Sequence, residues 1–195
     1  MSDRVKDLSQ KILSDRVYKL YEVTFGYQLQ SGKWVEKNRE VFDRGNGATV
    51  LLYNKDKGTI ILNYQFRVPT LLNGNESGFM IETPAGVIEE KDSTVEESMI
   101  REIEEETGYR VESVKKVMEL FMTPAAVTEK IYYFIAPYTD DMKVSEGGGV
   151  AEEHEDIKVL EMPFSEAVSK IESGEIVDAK TVILLQYAQI QKLME

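Results

Sequence analysis

The stretch AGVIEEKDSTVEESMIREIEEETGY runs from Ala85 to Tyr109. Its second half, REIEEETGY, crowds Glu102, Glu104, Glu105 and Glu106 together. From Thr94 to Thr107 the apolar spacing predicts a helix. At about 100° per residue, Val95, Met99 and Ile103 fall on one stripe, with Ile100 at its edge. Ser93 and Glu96 stand at capping-box spacing, and Gly108 stands where a left-handed residue closes a helix. Glu97 and Glu104 project away from the stripe and read as a solvated face. Glu102 and Glu106, four positions apart, project onto its border near Val95, and Glu105 lies on its flank.

Like charges at this spacing cost only about 0.2–0.5 kcal/mol when exposed. Partial burial makes them far more costly unless each charge finds a partner. They also lie at the helix C-terminus, the wrong end of its dipole for anions. Arg101 alone cannot pair with all of them. An all-oxygen set of this kind suits a hard divalent cation, Mg²⁺ or in its place Mn²⁺. A protonated carboxylate cluster is the competing reading.

The rest of the 195-residue chain must support this helix. At 42% hydrophobic and 30% charged it is ordinary for a globular protein, with length for one large domain or a domain plus subdomain. A net charge of −12 argues against nucleic acid or an anionic membrane surface as partner. It also means that an anionic substrate needs local Arg or Lys, or a cation. The absence of cysteine excludes disulfides and thiolate metal sites and is compatible with a reducing, cytoplasmic setting. The polar opening MSDRVKDLSQ lacks a signal-peptide core, and no apolar run approaches the roughly 20 residues of a membrane span.

VYKLYEVTFGYQL and WVEKNREVF read as two strands about the turn QSGK, forming a small sheet over residues 1–44 that leans on another surface. GATVLLYN and TIILNYQFRV read as buried strands, PTLLNGNESG as a loop, and FMIETPAG as a short strand ending at Pro84 and Gly86. VKKVMELFM, KIYYFIAPY and IKVLEMPF add strands, and SEAVSKIESG and DAKTVILLQYAQIQKLME add helices. Interspersed strands and helices predict an α/β or α+β fold on a mixed sheet.

REIEEETGY resembles the second half of the Nudix box, with Arg101, Glu102, Ile103, Glu105, Glu106, Gly108 and Tyr109 at matching positions. The first half is one residue longer than usual, and Asp92 or Glu90 stands for its first acid. QFRV, NGNESG, IETPAG, VTE, GGGV and SGEI extend the resemblance to the GDP-mannose pyrophosphatase subgroup, close to the ADP-ribose pyrophosphatases. That resemblance implies an α/β/α sandwich over 45–195 and a homodimer formed by exchange of the N-terminal sheet. It implies Mg²⁺ ligands at the Ala85 carbonyl, Glu102, Glu106 and Glu155, with Ala85, Gly86 and Glu106 also bordering the substrate. It places Arg67 on the diphosphate, Arg39 and Glu40 on the nucleotide-sugar, and Glu129 and Lys180 at substrate-contacting positions. TPAAVTE departs from the pattern with Ala125 and Ala126 for glycines, and His154 stands where an acid is usual.

The reaction so implied is hydrolysis of a nucleotide-sugar diphosphate. Catalytic candidates are Glu105, Glu153, Glu155 and the box arginine, Arg101. An acid in 145–155 is favoured as base, with Gly147–Gly149 letting the loop close; the plainer reading of a glycine run is a flexible connector. Arg67 also reads as a sheet-end residue, Arg39–Glu40 as an exposed pair, Lys180 as solvated and His154 as a loop residue. The rivals in function are ADP-ribose hydrolysis, a non-catalytic nucleotide-sugar sensor, and an acidic metal buffer.

Overall fold

A computed structural model describes residues 3–89, 91–150 and 154–195. Its contacts divide into two units: residues 1–46 with 120–131, and residues 47–119 with 132–195.

In the first unit, β1 (Val5–Asp15), β2 (Lys19–Gln28) and β3 (Trp34–Asp43) form an antiparallel sheet in that order. The two expected strands are β2 and β3, turning at Gly32 with φ 82°. The third, β1, was not legible. VKDLSQKILSD is polar and almost wholly exposed, so it carries no buried alternation, and its pairing with β2 supplies the order instead. Beyond the sheet, Phe42 bridges to Val127, and the Phe42 N–H donates to the Ala126 carbonyl at 2.8 Å.

The second unit is built on β4 (Gly47–Asn54) and β5 (Thr59–Phe66). Further strands are β6 (Phe79–Glu82), β7 (Ala85–Val87), β8 (Lys115–Phe121), β9 (Lys130–Pro137) and β10 (Lys158–Pro163). The sheet order is β10-β5-β4-β9-β8, with β6 paired to β5 and β7 to β4. β4 is buried along nearly its whole length, as a strand covered on both faces must be. On one face Ala48, Val50, Leu52 and Ile61 pack with Met99 and Ile103 of α2 (Val95–Thr107). On the other, Thr49 bonds Thr83, and the Thr83 N–H donates to Thr181 of α4 (Ala179–Ile190). α3 (Phe164–Ser173) packs with α4. This is the expected α+β sandwich, with helices on both sides of a sheet.

Two local expectations change. PTLLNGNESG is not all loop: α1 (Val68–Leu71) has Pro69 in its first turn, where its fixed φ is suited. FMIETPAG ends its first strand at Glu82, just before Pro84, but Ala85–Val87 then forms a second short strand, antiparallel to β4 with Ala48 opposite Gly86.

Candidate active site

α2 carries the four glutamates, and its ends explain how they are held. Thr94, not Ser93, is the N-cap: its hydroxyl accepts from the Glu97 N–H at 3.1 Å, and the Glu97 carboxylate reaches back to the Ser93 N–H at 3.2 Å. The capping box is thus displaced by one residue. Gly108 closes the helix at φ 78°.

Met99 and Ile103 are fully buried, and the same rotation buries Glu106, which is 2% exposed. Glu106 Oε2 accepts from Asn63 Nδ2 at 2.9 Å and from the Ala85 N–H at 3.0 Å. Burial first, then the charges of Glu102 and Glu155, raise its pKa well above the usual range. Glu102 is pushed up to about 7, again mainly by burial, with Arg101 opposing and Glu105 and Glu155 adding to the shift. These are acids that lack full compensation where they stand.

Arg101 takes more partners than its sequence context suggested. It contacts Glu89 at 3.1 Å, Asp92 at 3.2 Å, Glu102 at 3.0 Å and Glu105 at 2.7 Å. Burial works against its charge, but these acids, led by Asp92, raise its pKa. Asp92 itself is held below the usual carboxylate range, chiefly by Arg101. Of the two candidates for the box's first acid, Asp92 pairs with Arg101, and Glu90 lies outside the described residues. Arg101 braces the loop before α2 against the helix. No ion pair joins it to Glu106, the most buried of the α2 acids.

Gly86 lies directly against Glu102. A Cβ there would fall 2.1 Å from Glu102 Cδ, so only glycine lets β7 and the carboxylate approach this closely. Among the described residues, no three acids or histidines are gathered tightly enough to form a ready-made metal cage. The expected ligand set is therefore held on separate partners: Glu106 on Asn63 and Ala85, Glu102 on Arg101, and Glu155 Oε2 on the Val150 N–H at 3.0 Å. The buried acid, the glycine cradle and the all-oxygen donors still fit a hard divalent cation.

The loop bearing Glu155 is docked on the end of α2. Gly148 N–H donates to the Glu106 carbonyl at 2.9 Å, and Gly149 N–H to the Glu105 carbonyl at 3.0 Å. Gly147, Gly148 and Gly149 all have positive φ. Here the glycines allow close packing on the helix end, where the Gly148 and Gly149 N–H groups cap helix carbonyls. Glu153 lies outside the described residues. His154 is an exposed loop residue, as read.

A cationic pair stands on the same unit. Arg67 Nε and Nη2 form a fork with Glu82, with Nη2 to Oε2 at 2.8 Å, and Glu82 is 2% exposed. Lys180 Nζ lies 4.0 Å from Glu82 and 2.7 Å from Asp178, the residue that caps α4 through the Thr181 N–H. Glu82, Asn63 and Asp178 were missed as site residues. Their signals were faint: a lone acid ending FMIE, an amide inside TIILNYQF, and an aspartate opening a helix.

Arg39, Glu40 and Glu129 belong to the first unit. Arg39 is exposed and donates to the Asn38 carbonyl, while Glu40 lies opposite Glu22 in the β2–β3 register. Glu129 pairs with Arg44 at 3.3 Å.

Comparison with known proteins matches residues 43–185 to the NUDIX domain and residues 4–42 to the GDP-mannose pyrophosphatase NudK N-terminal domain. GDP-mannose pyrophosphatases of Escherichia coli O1:K1 / APEC and of Shigella boydii serotype 4 (strain Sb227) are each 48% identical to the chain over 195 residues, covering 100% of both sequences. A solved structure of an ADP compounds hydrolase superposes with a TM-score of 0.67 over 95% of this chain and 98% of its own, at 19% identity, a likeness of fold. With the box helix, its bracing arginine and a domain match over most of its length, the chain belongs to the Nudix family and is a Nudix hydrolase.

Proposed function

We infer that this enzyme hydrolyses the diphosphate of GDP-mannose, giving GMP and mannose 1-phosphate with Mg²⁺ as its cation. The observation that carries this reading is the 48% identity to GDP-mannose pyrophosphatases across the whole of both chains. Glu102, Glu106, Glu155 and the Ala85 carbonyl would hold the cation. When bound there, a divalent cation polarises phosphate oxygens and lowers the pKa of its water.

The remaining work falls to the chain's own groups. Arg67, held by Glu82, presents charge-assisted donors to a non-bridging phosphate oxygen, and Lys180 adds a second cation. Gly86 keeps the approach to Glu102 open. Glu105, Glu153 and Glu155 are the candidate acceptors for the proton of the attacking water. Arg101 holds Glu102 and Glu105 in place. Arg39, Glu40 and Glu129 would contact the nucleotide-sugar.

We place the division into an N-terminal β subdomain (1–44) and a Nudix domain (45–195) alongside a cytoplasmic homodimer. Support for the dimer comes from β1, an edge strand that exposes Leu8, Ile12 and Leu13. The net charge of −12 disfavours nucleic acid as partner. No helix among the described residues is long and apolar enough to cross a membrane.

The test is product analysis with GDP-mannose and ADP-ribose, in Mg²⁺ or EDTA. Mg²⁺-dependent GMP, formed faster than AMP from ADP-ribose, is the expected outcome. Predominant AMP moves the substrate to ADP-ribose. Nucleotide-dependent stabilisation without cleavage of either substrate points to a sensor or to another substrate. Glu106→Gln should reduce turnover by roughly 100-fold or more, since it removes the most buried carboxylate of the proposed ligand set.

A further inference from the structure

Asn63 sits on β5 two residues after Ile61, on the sheet face that packs against Met99 and Ile103. It is fully buried. Strand alternation asks for an apolar side chain at such a position. Instead an amide donates through Nδ2 to Glu106 Oε2 at 2.9 Å. Its own Oδ1 is buried without a hydrogen-bond partner. A buried amide oxygen left unpaired costs free energy, and a leucine of similar shape would avoid it. The amide is therefore an expensive choice for packing alone, and its bond goes to Glu106, the most buried of the α2 acids.

The Ala85 N–H donates to the same Oε2 at 3.0 Å. Both donors thus hold a single oxygen and set the plane of the carboxylate. We propose that Asn63 is a positioning residue for cation binding: with the Ala85 N–H it anchors Glu106 by Oε2, so that Oε1 is the oxygen offered to the cation. The proposal rests on the reading of Glu106 as a ligand. Partners of this kind behind a metal ligand typically contribute about 10–100-fold in metal affinity.

The experiment measures Mn²⁺ affinity by electron paramagnetic resonance, and melting temperature in EDTA, for the full chain and for Asn63→Leu, Asn63→Ala and Glu106→Gln. Asn63→Leu should melt within a few degrees of the parent yet bind Mn²⁺ roughly 10–100-fold more weakly. Asn63→Ala should show the same loss of affinity with a lower melting temperature, and it carries the test if the leucine variant does not fold. A residue that merely packs would give the reverse: a changed melting temperature with unchanged affinity. Loss of affinity in Glu106→Gln but in neither folded Asn63 variant overturns the proposal alone. Unchanged affinity in Glu106→Gln overturns the ligand reading and this proposal with it.

Discussion

Glu82 and Glu106 are equally buried, both 2% exposed, and their neighbours make them opposites. Glu82 meets the Arg67 fork and has Lys180 nearby, so its charge is compensated. Glu106 meets an amide and one backbone N–H, with Glu102 and Glu155 adding repulsion. The first acid holds a guanidinium in place; the second lacks a full counter-charge where it stands. Glu82→Gln keeps the shape but removes the charge that fixes Arg67. Charge-assisted hydrogen bonds are worth about 1.5–3 kcal/mol, so kcat/KM for the nucleotide-sugar should fall roughly 10–100-fold. Steady-state kinetics with Arg67→Ala in parallel checks this, because the double variant should lose little more than Arg67→Ala alone.

At the level of elements, the candidate site is the meeting of α2, β7, residues 145–150 and Glu155. Burial of Met99 and Ile103 fixes the rotation of α2, and that rotation aims Glu106 inward. Ile103→Ala should destabilise the protein by about 2–5 kcal/mol, the usual cost of emptying a packed aliphatic site, seen as a lower midpoint in denaturant titration. The loop is governed by its glycines. A Cβ on Gly147 would lie 2.5 Å from the Glu106 carbonyl, and its φ is +68°. Gly147→Ala should therefore loosen the loop from the helix end, at a backbone cost of about 1–2 kcal/mol. The expected result is a lower melting temperature together with lower kcat, since Glu155 lies on that loop.

For the whole molecule, the acidic site makes stability depend on pH and cation together. Glu102 is pushed up to about 7 from 4.5, and Glu106 is raised as well. A folded-state pKa above the unfolded one means that the native state holds more protons between the two values. Stability is then full below about pH 4.5 for these groups and declines as pH rises through about 7. Melting in EDTA should show this decline between pH 5 and 8 on the order of a few degrees. Added Mg²⁺ should restore the loss at pH 8 and have little effect at pH 5, because binding stabilises only where the carboxylates are ionised. A net charge of −12 adds self-repulsion in the same direction.

Much of this was legible in the chain itself. The stripe Val95–Met99–Ile103 specified a helix, and the border position of Glu102 and Glu106 predicted carboxylates turned partly inward. β4 and β5 announced themselves through unbroken apolar runs. These signals are local, because side-chain period and burial are properties of consecutive residues. Tertiary structure decided the rest. β1 has no buried face and is ordered only by pairing with β2. Asn63 and Glu82 lie on neighbouring strands, and their partners, Glu106 and Arg67, are 43 and 15 residues away. No spacing rule joins them. Which acid receives a counter-charge, and which is left with a raised pKa, depends on how the sheet and helix dock, since charge compensation is set by distance in space.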